Sequence, residues 1–74
     1  MSRVMVGVQG RDVRAGDYIQ ADGTWVRVVS VEPAVCTITM DGGRRVEVPG
    51  RRITTALWVT YKTDTEGVGV QREV

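Results

Sequence analysis

The chain has no histidine and no phenylalanine, and only one cysteine and one leucine. Without histidine, neither a Ser–His nor a Cys–His nucleophile pair can be assembled, and the commonest general base near neutral pH is missing. A lone cysteine cannot close an internal disulfide, which excludes the stapled scaffolds of small secreted domains. Together the two shortages leave no nitrogen and sulfur ligand set for zinc. The nine acidic residues are scattered along 74 positions. No two of them form a close pair suited to acid–base work, and a chain this short rarely encloses a pocket deep enough to shift their pKa values. Asp17, Asp22 and Asp41 become cation ligands only if the fold gathers them. The expectation is a non-catalytic protein with no cofactor and no metal. A net charge of +1 lacks the strong basicity of a general nucleic-acid coat protein. No stretch approaches the ~20 apolar residues of a membrane span, and the first residues carry no signal-peptide core. A cytoplasmic protein with no membrane partner is expected, in the host cytoplasm if the chain is viral.

What the chain does have is valine. Fifteen valines, eight threonines and three isoleucines are stiff at χ1 and suit a pleated surface better than a helix. Val4, Val6 and Val8 alternate with Arg3, Met5, Gly7 and Gln9, the period of a strand. A turn at Gly10-Arg11-Asp12 leads to a short strand at Tyr18-Ile19-Gln20, and Ala21-Asp22-Gly23 reads as a tight hairpin turn. From Thr24 to Glu32 the apolar phase slips by one: Val26 and Val28 share a face, while Val29 and Val31 take the other. A bulge, or a bend that lets one strand serve two sheets, resolves the slip. Pro33 is expected to stop that strand. Residues 35–40 form the next, Asp41-Gly42-Gly43 turns the chain, and Val46 and Val48 return it to a stop at Pro49-Gly50. Residues 53–61 make the last long strand. The chain is thus expected to be all-β, one small SH3-like barrel of five to six antiparallel strands over residues 1–62, with an OB-like barrel or an open meander as the other outcomes. Residues 63–74 are read as a C-terminal tail or edge strand. Within them Val68-Gly69-Val70-Gln71 repeats Val6-Gly7-Val8-Gln9. Either this is coincidence, or the two ends form β-edges that pair with each other or with a neighbouring subunit.

The stretch Val13-Arg14-Ala15-Gly16-Asp17-Tyr18-Ile19, followed by Trp25-Val26-Arg27-Val28, resembles the opening of Hint domains, the fold of inteins and Hedgehog autoprocessing. There a Gly-Asp turn opens a small barrel that a Trp-bearing strand then crosses. The same stretch looks like short uncharacterised proteins of actinobacterial bacteriophages. The resemblance covers roughly residues 10 to 60. It implies a small barrel, a phage origin and a host- or virion-directed contact. It carries over no self-splicing chemistry, since the required histidines are missing and Cys36 lies mid-strand.

Two sets of residues are candidates for binding. Trp25 and Trp58 fall out of phase with the apolar faces of their strands, so each is a partner anchor, with Arg27 beside Trp25, or a lid over an open barrel end. Arg44-Arg45 and Arg51-Arg52 flank Val46–Pro49. They either span phosphates of a nucleic acid or solvate and protect a hairpin. The expected function is a protein-interaction or structural module that binds a partner or itself, with homo-oligomers favoured by the thin core of so short a chain. The alternative is nucleic-acid binding through the four arginines.

Overall fold

The valine alternation at the start of the chain does form a strand. In a computed structural model, which describes residues 2–74, six strands run in the order β1 (Arg3–Gln9), β2 (Tyr18–Ala21), β3 (Thr24–Thr39), β4 (Arg45–Thr55), β5 (Val59–Thr63) and β6 (Gly67–Glu73), with short 3-10 turns at Gly10–Asp12 and Asp41–Gly43. In space the order is β1-β6-β2-β3-β4-β5, with every neighbouring pair antiparallel. The protein is all-β, and no helix among the described residues is long and apolar enough to cross a membrane.

The β2–β3 turn has the chemistry its residues demand. Asp22 and Gly23 both take positive φ, 51° and 79°, which fits the right-handed twist of a two-residue hairpin. Further along β3 the slip in apolar phase is a bulge: Val28 faces Thr55 and Ser30 faces Thr54, leaving Val29 as the extra residue. Val28 and Val31 are thereby returned to the same side, against the core, while Val29 is 50% exposed. At this point β3 also changes partner, from β2 along Thr24–Arg27 to β4 beyond it. Val29→Lys is accordingly expected to shift unfolding stability by no more than ~0.5 kcal/mol. The neighbouring Val28→Ala, at a fully buried position, is expected to lose about 2 kcal/mol in urea titration.

Neither proline ends a strand. β3 runs through Pro33, which pairs with Arg51, and β4 runs through Pro49, which pairs with Val35. Proline is tolerated where its missing N–H would point to a flank with no partner. Beyond the bulge β3 has only β4 as a neighbour, and Pro49 lies just past the end of the β4–β5 ladder at Gly50. Residues 53–61, expected as one strand, are two. Thr55 turns the chain by accepting hydrogen bonds at its hydroxyl from the N–H groups of Leu57 (3.2 Å) and Trp58 (2.9 Å). The same hydroxyl donates to the Trp58 carbonyl at 2.7 Å, so a side chain that competes for backbone partners breaks the strand.

The C-terminal segment is neither tail nor edge. β6 lies between β1 and β2, and its Val68-Gly69-Val70 pairs residue for residue with Val8-Gly7-Val6 of β1. The two like segments thus pair with each other. Val70 is fully buried and joins Val13, Ile19, Val28 and Ile53 in the core, with Val6, Val8, Val31, Trp58 and Val68 packed around them.

The sheet curls but does not close into a barrel, since β1 and β5 remain its edges. The seam between them is bridged by turns instead of a ladder. Gly10 N–H donates to Glu66 O (2.8 Å), and Arg11 N–H donates to Asp64 O (3.1 Å). Gly10 is buried there, where a Cβ would run into the Thr63 carbonyl. One buried ion pair locks the same end. Arg72, in phase with Val68 and Val70, donates from Nε to Asp17 Oδ1 at 2.9 Å and from its terminal nitrogen to the Asp12 carbonyl at 2.7 Å. Asp17 is buried and also accepts from the Arg14 N–H at 2.9 Å.

Candidate interaction surface

The longest hairpin carries the most unusual surface. β3 and β4 pair without a further shift from Ser30↔Thr54 to Thr39↔Arg45. The molecule is elongated to 47 × 22 × 19 Å, and a strand of sixteen residues reaches ~50 Å at ~3.3 Å per residue. β2 pairs with β3 only as far as Arg27, and β5 pairs with β4 only from Gly50 to Thr54. The distal part, residues 35–39 and 45–48, is therefore a two-stranded ribbon with both flanks open.

Such a ribbon by itself is marginal in water, and this one is apolar. Val35 is 65% exposed, and Ile38 and Met40 are also exposed. Val46, Val48 and Cys36 are half-buried. The turn from β5 to β6 covers part of one face: the Cys36 thiol lies 3.7 Å from the Lys62 carbonyl, above Gly50, whose lack of a side chain leaves room for the sulfur. Cross-strand hydrogen bonds fix which backbone groups are free. At the tip Met40 N–H donates to Arg44 O at 2.6 Å. In an antiparallel ladder the direction alternates, so even-numbered residues of β3 bond to β4 while residues 33, 35, 37 and 39 point to the open flank. The same alternation turns residues 45, 47 and 49 of β4 the other way, and there the Pro49 carbonyl accepts from Asp64 N–H at 3.1 Å.

The two open flanks differ in chemistry. On the β4 side stand Arg44, Arg45, Glu47 and Pro49, the residue types that discourage strand addition. On the β3 side the run Ala34-Val35-Cys36-Thr37-Ile38-Thr39-Met40 carries no charge.

The four arginines do not form one patch. Arg52 is held by Glu32, directly across the ladder, at 2.6 Å. Arg51 projects to the opposite face, 3.8 Å from Asp64, close enough for attraction but not for a hydrogen bond. Arg44 and Arg45 are exposed at the ribbon tip, ~20 Å along the strand from the other pair. Trp25 and Trp58, by contrast, do come together. The β2–β6 ladder ends after the pairs Tyr18↔Gln71 and Ile19↔Val70. Where it ends, a pocket of about 500 Å³ opens, lined by both tryptophans with Met5, Gln20, Thr60 and Lys62 among others. Both tryptophans are half-buried, and Trp58 packs against the core. Arg27 is exposed on β3, two positions from Trp25. A broad open groove runs over Gly7, Gly67 and Gly69 beside Arg11, Arg14 and Arg72, with the Arg72 guanidinium committed to Asp17.

Among the described residues, no three His, Cys, Asp or Glu side chains are grouped as metal ligands. The ribbon could be foreseen only in part from sequence. The uncharged run was visible, but the two proline positions masked its continuity with the rest of β3. No family model, curated protein or solved structure matches the chain.

Proposed function

We propose that the chain is a non-catalytic interaction module that associates with itself, an SH3-like barrel left open along one seam and carrying a projecting β arm. The observation that carries this reading is the distal ribbon of β3 and β4, which exposes Val35, Ile38 and Met40 on a two-stranded element that water alone supports poorly. The Trp25–Trp58 pocket, with Arg27 beside it, is a second contact surface of the same module, suited to an apolar side chain of a protein partner. A virion- or host-directed partner accords with the phage resemblance. Nucleic-acid binding through Arg44, Arg45, Arg51 and Arg52 is less well supported, because Glu32 and Asp64 already sit beside two of the four.

Sedimentation velocity from about 1 to about 100 µM tests this by mass action. The sedimentation coefficient is expected to rise with concentration, and a monomer throughout that range rejects self-association. Salt-sensitive retention of DNA or RNA that disappears when Arg44 and Arg45 become alanine would favour the nucleic-acid reading instead.

A further inference from the structure

We infer that two copies of the chain join through the open flank of β3, antiparallel and centred on Thr37, so that the two ribbons merge into one four-stranded sheet in the order β4-β3-β3-β4. This deepens the self-association proposed above and rests on it. Three observations select this edge and this occupant.

The first is the stretch of edge that can pair. Pro33 has no N–H, and its missing donor faces the open flank. At the other end the chain turns away at Asp41–Gly43. Between these limits lie residues 34–40, with Thr37 at their midpoint, and Thr37 is one of the residues whose backbone N–H and C=O face outward. Centring there sets Thr37 against its own copy and Val35 against Thr39 on both sides of the axis. About six backbone hydrogen bonds result.

The second is charge. In a twofold contact the residue on the axis meets itself, so a charge placed there repels its own copy. The run from Ala34 to Met40 has no charge, and the pairs it creates, Thr37 with Thr37 and Cys36 with Ile38, are β-branched or apolar. The opposite flank carries Arg45, Glu47 and Pro49, the features that keep an edge single.

The third is mutual need. Each ribbon is two-stranded and exposes Val35 at 65%. One contact gives both ribbons the third and fourth strands that a stable sheet requires. A foreign strand supplies only one.

Thr37→Pro tests the pairing, since at position 37 the lost N–H belongs to the open flank and, as at Pro33, no bond to β4 is removed. Its dimer dissociation constant is expected to rise at least about tenfold by sedimentation velocity, whereas Glu47→Pro, the same lesion on the β4 flank, is expected to leave it within about twofold. A Cys36→Ser/Thr37→Cys variant guards against misfolding by the proline. Mild oxidation is expected to yield a covalent dimer, since directly opposed residues of a hydrogen-bonded pair stand ~5.5 Å apart. Wild-type association that Thr37→Pro leaves intact, with no covalent dimer from the cysteine variant, overturns the β3 edge while leaving self-association standing. Loss of the dimer in Glu47→Pro but not in Thr37→Pro transfers the contact to β4. A wild-type monomer at every concentration removes both the edge and the reading beneath it.

Discussion

Asp17→Ala is expected to cost about 3 kcal/mol of unfolding stability, out of the roughly 4–11 kcal/mol that a domain of this length commands. The carboxylate is buried and holds three groups: Arg72 Nε at 2.9 Å, the Arg72 terminal nitrogen at 3.2 Å and the Arg14 N–H at 2.9 Å. Removing it strands a guanidinium whose side chain is only 21% exposed, and such an orphaned charge is the costly product of breaking a buried pair. It also releases the segment that leads into β2 from the last strand of the chain. Arg72→Met removes the other partner and is expected to cost a similar amount. The double variant Asp17→Ala/Arg72→Met leaves no orphan charge, so it is expected to be less destabilised than the sum of the singles by at least about 1 kcal/mol. Urea titrations of the four proteins close the cycle. Strict additivity would mean that the pair contributes nothing as a unit.

Gly10→Ala is expected to be at least as severe, about 3 kcal/mol or more. A Cβ at Gly10 would press on the carbonyl of Thr63, and that carbonyl is backbone, unable to swing aside like a side-chain tip. Moving the turn away would stretch the bonds from Gly10 N–H to Glu66 and from Arg11 N–H to Asp64 that bridge the open seam. Gly7→Ala is the matched comparison. A Cβ there meets nothing within 4 Å, and alanine in place of glycine in a strand is expected to be neutral or to add up to about 1 kcal/mol. Thermal melts of the two variants read the difference directly. Equal melting temperatures would show that the Gly10–Thr63 approach is not what holds the seam.

Much of this architecture was legible in the residues, and the failures have physical causes. Valine alternation placed β1, Asp22-Gly23 placed the first hairpin, and the phase slip near Val29 called for a bulge or a bend between two sheets, of which the structure has the bulge. The V-G-V likeness between the two ends was a sign of their pairing, although coincidence explained it as well. The prolines misled, because whether Pro33 and Pro49 stop a strand depends on which flank of that strand has a neighbour, and only the assembled sheet decides that. Gly50 misled for a related reason. It looked like a terminator, yet it sits inside β4 to make room for the Cys36 sulfur and the chain at Lys62. The break at Ala56–Trp58 turned on the hydroxyl of Thr55, one threonine among several with no local mark to distinguish it. Of the candidate residues, Trp25 and Trp58 share a pocket that strand phase could not reveal, since it opens where a ladder ends. The arginine pairs were conspicuous in sequence, but the acids beside Arg51 and Arg52 were not, because Asp64 and Glu32 are distant from them along the chain.

The placement of β6 has a consequence for the order of folding. The ribbon of β3 and β4 pairs segments that are near each other along the chain, whereas β1 is paired only once β6 reaches it, Val6 meeting Val70. Until then the first valine strand has no ladder and the core lacks Val70. Contacts between such distant parts of a chain form slowly, so the β1–β6 ladder and the packing of Val70 are expected to lag behind the local pairing of β3 with β4. A truncation before Gly67 would leave β1 without its ladder and the core without Val70.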